Sequence, residues 1–394
     1  MGPAGGRRNA LRERRMSSAS TASLIPVTLL TGFLGSGKTT VLNHLMPQPE
    51  MADTLVIINE FGDTALDHLL VAHSRENLVM ELGSGCVCCT IRGDLVSTLR
   101  DATWRFSRNG QKQFRRVLIE TTGLADPAPI VHTLMTQPQI APKYRLDGIV
   151  ATVDMATGMH TLDRHPEAVK QAAMADALLL TKADLATGEQ RAALLSRLDD
   201  INPAAVRLEV RNGEIEARKV LNLGLFAAQG KAPDVTRWLR EEAYKSHSFR
   251  SVAAAQEARR DPGAFAPRTA RTGKAHAAHH DANRHDDHIR AFCFTIDEPI
   301  AEPTLVTWLD VLMSFVGSDI LRVKGILNVE GQDRPVVLHG VQHIFHPPVS
   351  LSAWPGEDRR SRLVFITRDV DRNLIERTFR AFQPLKPQAG ESAA

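Results

Sequence analysis

Nine residues constrain this chain more than any others: Gly32-Phe-Leu-Gly35-Ser36-Gly37-Lys38-Thr39-Thr40 fits the pattern G-x-x-x-x-G-K-[ST]. Before them Ile25, Val27, Leu29 and Leu30 read as a short buried strand, and after them Thr39 to Leu45 reads as a helix. Glycines let backbone N–H groups wrap around phosphate oxygens at a helix N-terminus, where the peptide dipoles favour an anion. Lys38 then reaches the β- and γ-phosphates, and the Thr39 hydroxyl can ligate magnesium. A chain that opens this way is expected to continue as an α/β sheet with its ligand at the carboxyl ends of the strands.

The next two hundred or so residues keep that promise in outline. Strand-like runs at Leu55 to Ile58, Val117 to Ile119, Gly148 to Val153 and Ala177 to Leu180 are separated by segments long enough for helices, including Asp94 to Arg105 and Asp184 to Arg197. This alternation predicts a doubly wound, mostly parallel sheet over residues 24–229, the P-loop NTPase arrangement. Glu120 follows the strand Val117 to Ile119, where such proteins carry an acid for magnesium or its waters, with Gly123 just beyond it. Thr181-Lys182-Ala183-Asp184 follows the strand Ala177 to Leu180; the Asp184 carboxylate can accept hydrogen bonds from guanine nitrogens while the Lys182 stem covers the ring. That favours GTP, although Thr181 stands where the usual GTPase motif has asparagine.

At 394 residues the chain exceeds one ordinary core, so at least two domains are expected. A net charge of +3 and 5% aromatics exclude the footprint of a nucleic-acid binder, and no apolar run approaches the roughly 20 residues that span a bilayer. Cys86, Cys88 and Cys89 crowd into four positions, too tight for a disulfide framework, which points to thiolates kept reduced in the cytoplasm. Soft thiolates select zinc and related metals; three in one loop leave at least one ligand to another segment or solvent. Cys293 is expected in the core. Residues 1–23, rich in arginine and serine, read as a disordered arm or an over-called start, with a loose likeness to an organelle transit peptide. Residues 230–288 read as a linker in which His276, His279, His280, His285 and His288 either gather metal ions or simply keep the segment soluble. A small α+β domain is expected over 289–385, with strands at Ile289 to Ile296, Ile326 to Val329, Val336 to His339 and Arg362 to Ile366, helices at Thr304 to Phe315 and Asn373 to Phe382, and a disordered tail at 386–394.

The motifs GFLGSGKTT, NEFGD at Asn59 to Asp63, GCVCC at Gly85 to Cys89, ETTGLADP at Glu120 to Pro127 and TKAD occur in that order, and together the chain resembles the CobW family of P-loop GTPases. In the second half RVKG at Arg322 to Gly325, the stretch around His339, Gln342 and Trp354, and RLVFITR at Arg362 to Arg368 resemble that family's C-terminal domain. The resemblance implies a metal chaperone that hydrolyses GTP with Mg2+, holds zinc or alternatively cobalt, and hands it to a client metalloprotein, with dimerisation under nucleotide or metal control. It further implies that Asn59-Glu60-Phe61-Gly62 is a switch loop near the γ-phosphate, with Glu60 supplying an oxygen ligand beside Cys86, Cys88 and Cys89. Within the resemblance, cobalt delivery for corrinoid synthesis or for a nitrile hydratase is the nearest alternative, and a metal store with incidental hydrolysis is a reading of another class.

Overall fold

Short apolar runs separated by helix-length segments are best shielded as a parallel sheet covered on both faces. The computed structural model, which describes residues 24–58, 78–81, 90–108, 111–223, 289–346 and 348–382, has that arrangement in its first half. The strands are β1 (Ile25–Gly32), β2 (Thr54–Ile58), β3 (Leu78–Glu81), a hairpin of β4 (Ser107–Arg108) and β5 (Gln111–Lys112), β6 (Arg116–Glu120), β7 (Tyr144–Asp154), β8 (Ala177–Thr181) and β9 (Val206–Val210). Seven of them form one sheet in the order β3-β2-β6-β1-β7-β8-β9, with every neighbouring pair parallel. All their carboxyl ends therefore lie along one edge.

Successive residues of these strands face opposite ways, and both faces are apolar. Val27, Leu29, Val117 and Ile119 pack against Leu95 and Leu99 of α2 (Thr90–Arg105) and Ile130 and Leu134 of α3 (Ala128–Thr136). Leu30, Leu118, Val150 and Leu179 pack the other way, against Val41, Leu42 and Leu45 of α1 (Lys38–Leu45). A side chain of this size contributes about 1.5–3 kcal/mol when fully buried. After β7 come α4 (Gly158–Arg164), α5 (Pro166–Met174) and, beyond β8, α6 (Gly188–Ile201). The helix expected from Asp184 thus begins later: Ala183–Leu185 forms a 3-10 turn, and Thr187 caps α6 by accepting from Gln190 N (3.2 Å) while Gln190 Oε1 accepts from Thr187 N (2.8 Å). Asp184 belongs to the loop because a Thr-x-x-Gln capping box competes successfully for the helix start.

The second half is an antiparallel sheet with two helices. Its elements are β10 (Ile289–Ile296), α7 (Glu302–Val316), β11 (Ile320–Leu327), β12 (Val336–Val341), β13 (Ile344–Phe345), β14 (Val349–Ser350), β15 (Ser361–Arg368) and α8 (Arg372–Phe382). The order is β10-β15-β11-β12-β13, with β14 also pairing β12. The expected strand at Ile326 to Val329 is instead the end of β11, which starts six residues earlier at Ile320. On one face Trp308 of α7 and Phe379 of α8 meet edge to face at 5.0 Å over Phe294 and Phe365. The other face lies against α5 and α6 of the first half: Leu321 and Ile366 enter the same core as Ala172, Leu194 and Leu198. Cys293 is buried, as expected.

At the centre of this seam sits Asp176, immediately before β8. Its Oδ2 accepts from Ile149 N of β7 (3.0 Å), and its Oδ1 accepts from Arg322 Nη2 and from Lys324 Nζ (2.8 Å), both on β11. Burial opposes its ionisation, but Arg322, Lys324 and His339 overcome that and hold its carboxyl far below the ordinary range. Among the described residues no helix is long and apolar enough to cross a membrane.

Candidate nucleotide site

β1 ends at Gly32 with φ +139°, a conformation that suits glycine, and a Cβ there would lie 2.1 Å from Thr152 Oγ1 at the end of β7. The loop that follows is tied down from behind. Ser36 Oγ lies 2.6 Å from Phe33 O and 2.6 Å from Thr152 Oγ1, and Thr181 Oγ1 donates to Ser36 O (2.8 Å). Gly35 and Gly37 take φ values of +70° and +94°, and a Cβ on Gly35 would meet nothing within 4 Å. Lys38, Thr39 and Thr40 open α1, whose N-cap is Gly37. Lys38 Nζ donates to Gly32 O (3.0 Å) and Phe33 O (3.2 Å), so its ammonium lies across the mouth of the loop. A backbone cradle with an ammonium over it and a helix N-terminus beneath is suited to a polyphosphate.

Glu120, at the end of β6, is buried, and its Oε1 accepts from Thr39 Oγ1 at 2.9 Å. A hydroxyl and a carboxylate this close supply the hard oxygen donors that magnesium prefers. Beyond it Gly123 abuts the P-loop so closely that a Cβ would lie 2.6 Å from Leu34 N. From the other flank Lys182 Nζ donates to Gly35 O (2.7 Å) and pairs with Asp154 Oδ2 (2.8 Å), its backbone held in the left-handed region at φ +54°. Burial would raise the Asp154 pKa, but the Lys182 ammonium and the N–H groups of Ala156 and Thr157 bring it below its ordinary value. Asp184 is exposed on the same loop.

The structure thus brings together Gly32, Gly35, Ser36, Gly37, Lys38, Thr39, Thr40, Glu120, Gly123, Lys182 and Asp184. The expected metal ligands Glu60, Cys86, Cys88 and Cys89, like the histidine tract, lie outside the described residues. Their anchors do not: Glu60 is two positions beyond the end of β2 at Ile58, and Cys86 is five beyond the end of β3 at Glu81, so both follow carboxyl ends on the P-loop edge of the sheet. Sequence reasoning missed Thr152, Asp154 and the role of Thr181. Thr152 and Asp154 lie in the last three residues of β7, a strand predicted from its apolar run, and polar residues at a strand's carboxyl end in an α/β sheet are the signal that could have found them.

A parallel sheet whose first strand turns through a glycine-rich loop into a helix, with an acid and a basic loop converging on it, defines a protein of the P-loop NTPase class. Residues 26–209 match the model of the CobW/HypB/UreG nucleotide-binding domain, and residues 289–383 match that of the cobalamin synthesis protein cobW C-terminal domain. The chain belongs to the CobW family. It is similar to the zinc chaperone YjiA of Escherichia coli, with 29% identity over 90% of this chain and 98% of the relative. It is likewise similar to the zinc chaperone CobW of Pseudomonas aeruginosa, with 28% identity over 95% and 96%. A crystal structure of the Zn(II)-bound YjiA GTPase from Escherichia coli superposes with a TM-score of 0.62 at 25% identity, covering 92% of this chain and 99% of that one.

Proposed function

We propose that this protein is a GTP-dependent metallochaperone that holds a divalent transition metal, zinc in the first instance, and transfers it to a client metalloprotein in the cytoplasm. The observation that carries the reading is the meeting of Thr39, Glu120, Gly123 and Lys182 around Gly32 to Thr40 on the sheet edge from which the Glu60 and cysteine segments depart. Similarity to proteins named zinc chaperones over nearly their full length supports the cargo.

In this reading the N–H groups of Gly35 to Thr40 cradle the β- and γ-phosphates, and Lys38 neutralises charge that develops as the terminal P–O bond breaks. Thr39 and Glu120 would hold magnesium, which supplies further charge neutralisation at the phosphates. Lys182 and Asp184 address the guanine. Cys86, Cys88 and Cys89 with Glu60 grip the metal, and hydrolysis loosens that grip through the segment after β2.

Coupling requires the metal to bind differently in the two nucleotide states. Zinc, cobalt and nickel affinities measured with GDP and with a non-hydrolysable GTP analogue are expected to diverge for zinc. The triple change of Cys86, Cys88 and Cys89 to serine is expected to abolish both tight zinc binding and its effect on GTP turnover; retention of both sinks the proposal.

A further inference from the structure

The acid-bearing loop that runs from Glu120 to Asp126 has one turn bond of its own, Ala125 N to Thr122 O (3.1 Å), and is held further from α5. Gln171, buried on α5, donates from Nε2 to Gly123 O (3.1 Å) and Ala125 O (2.9 Å), and its neighbour Lys170 pairs with Asp126 Oδ2 (3.0 Å). One turn further on, the same helix ends in the seam with the second domain. There Asn202 Nδ2 donates to Ala172 O, Ala173 O and Ala175 O (2.9, 3.1 and 2.9 Å), and Arg322 Nη1 donates to Met174 O. A nine-residue helix is thus held at its C-terminal end by Asn202, at the end of α6, together with Arg322 of the C-terminal domain, and grips the Gly123 loop a turn away.

We propose that Gln171 is a positioning residue for GTP hydrolysis: it sets Gly123 against Leu34 of the P-loop, and α5 gives the C-terminal domain its hold on that setting. The inference rests on the GTPase reading above. Gly123 leaves no room for a side chain, since a Cβ there would lie 2.6 Å from Leu34 N and 2.8 Å from Leu34 Cα. Displacing it by a fraction of an ångström alters the geometry of the phosphate end of the site without touching the base-reading loop. Lys324, which reaches Asp176 from β11, acts on the same helix terminus from the far side of the seam.

The test is GTP turnover and nucleotide affinity in the full chain. Gln171→Met keeps the volume and removes both donated hydrogen bonds; kcat is expected to fall about tenfold with the GDP affinity unchanged, and preference for a GTP analogue over GDP to fall with it. A role confined to stability would lower the melting temperature and leave that preference alone. Lys324→Met is expected to lower kcat about threefold in the wild-type background and to have no further effect beside Gln171→Met, because both act through α5. Equal kcat and equal preference in Gln171→Met and wild type overturn the inference, as does an undiminished Lys324→Met effect in the Gln171→Met background. Should Gln171→Met not fold, Lys170→Met, at a partly exposed pair holding the same loop, takes its place with an expected threefold fall and the same dependence on Lys324. Absence of turnover in the wild-type protein would instead sink the GTPase reading itself.

Discussion

Thr181 illustrates how much a single side chain can be asked to do at this site. Where the usual GTPase motif has asparagine, its hydroxyl spans from β8 to the Ser36 carbonyl, so the P-loop and the loop of Lys182 and Asp184 are fixed to each other without an amide. Gly123 is the more demanding position. Gly123→Ala would force a methyl group to within 2.6 Å of Leu34 N, a backbone atom that cannot turn aside. We expect the variant to fold but to lose GTP turnover by about a hundredfold, the size of effect seen when one preorganised donor is displaced, as steady-state phosphate release would report. Both positions stood out in the sequence, Gly123 just beyond Glu120 and Thr181 at the head of the TKAD motif, although what the Thr181 hydroxyl binds did not. Gln171 and Asp154 did not, since a glutamine in mid-helix and an aspartate at a strand end are common, and their partners are 48 and 28 residues away.

Strand β11 shows where reading by apolar runs breaks down. The run from Ile326 was legible, whereas Ile320 to Gly325 was not, because Arg322 and Lys324 interrupt it with charges that ordinarily face water. Here they face Asp176, which lies well over a hundred residues earlier on another sheet, and no local pattern announces such a partner. β9 escaped for a related reason: Val206-Arg-Leu-Glu-Val210 is an edge strand whose residues before Val210 stay at least partly exposed, with its charges paired outward to Asp199 and Arg191. By contrast β1, β2, β6, β7 and β8, buried on both faces, were found from their apolar runs, although β7 starts at Tyr144, ahead of the run that begins at Gly148. The ion cluster also makes a stability prediction. Asp176→Asn leaves Arg322 and Lys324 buried against a neutral amide, and urea unfolding is expected to show a loss of about 3–5 kcal/mol, whereas a surface pair such as Arg100 and Asp101 contributes little.

For the molecule as a whole, the seam between the two sheets is both apolar and charged, and that mixture makes it sensitive to acid. His339 and His346 stack at 4.9 Å beside Arg322. Burial first, then Arg322, pushes the His346 pKa down to about 4 against an opposing pull from Asp176, with a smaller push from Arg145; burial, Arg322, His346 and Lys324 hold His339 well below its ordinary value. The unfolded chain therefore binds more protons than the folded one between pH 6.5 and about 4, so stability falls as pH drops through that window. The His346 share approaches roughly 3 kcal/mol at the acid end. Thermal melts from pH 7 to 4.5 are expected to show a steep decline that becomes shallower in His346→Phe; an unchanged slope would contradict the assignment. Asp176 adds little over most of that range: with its carboxyl held far below the ordinary value, its contribution is lost from about pH 5 downward and mainly below about pH 4.

The two halves are joined by a polypeptide connection, yet what unites them is the contact of β10, β11, β12 and β15 with α3, α5, α6 and the residue before β8. Leu321, Ile366 and Val341 are as much part of the first half's interior as its own leucines. A protease that severed the backbone between residues 224 and 288 would produce two fragments but not two proteins: each would keep the other's exposed interior covered, and neither could leave without uncovering it.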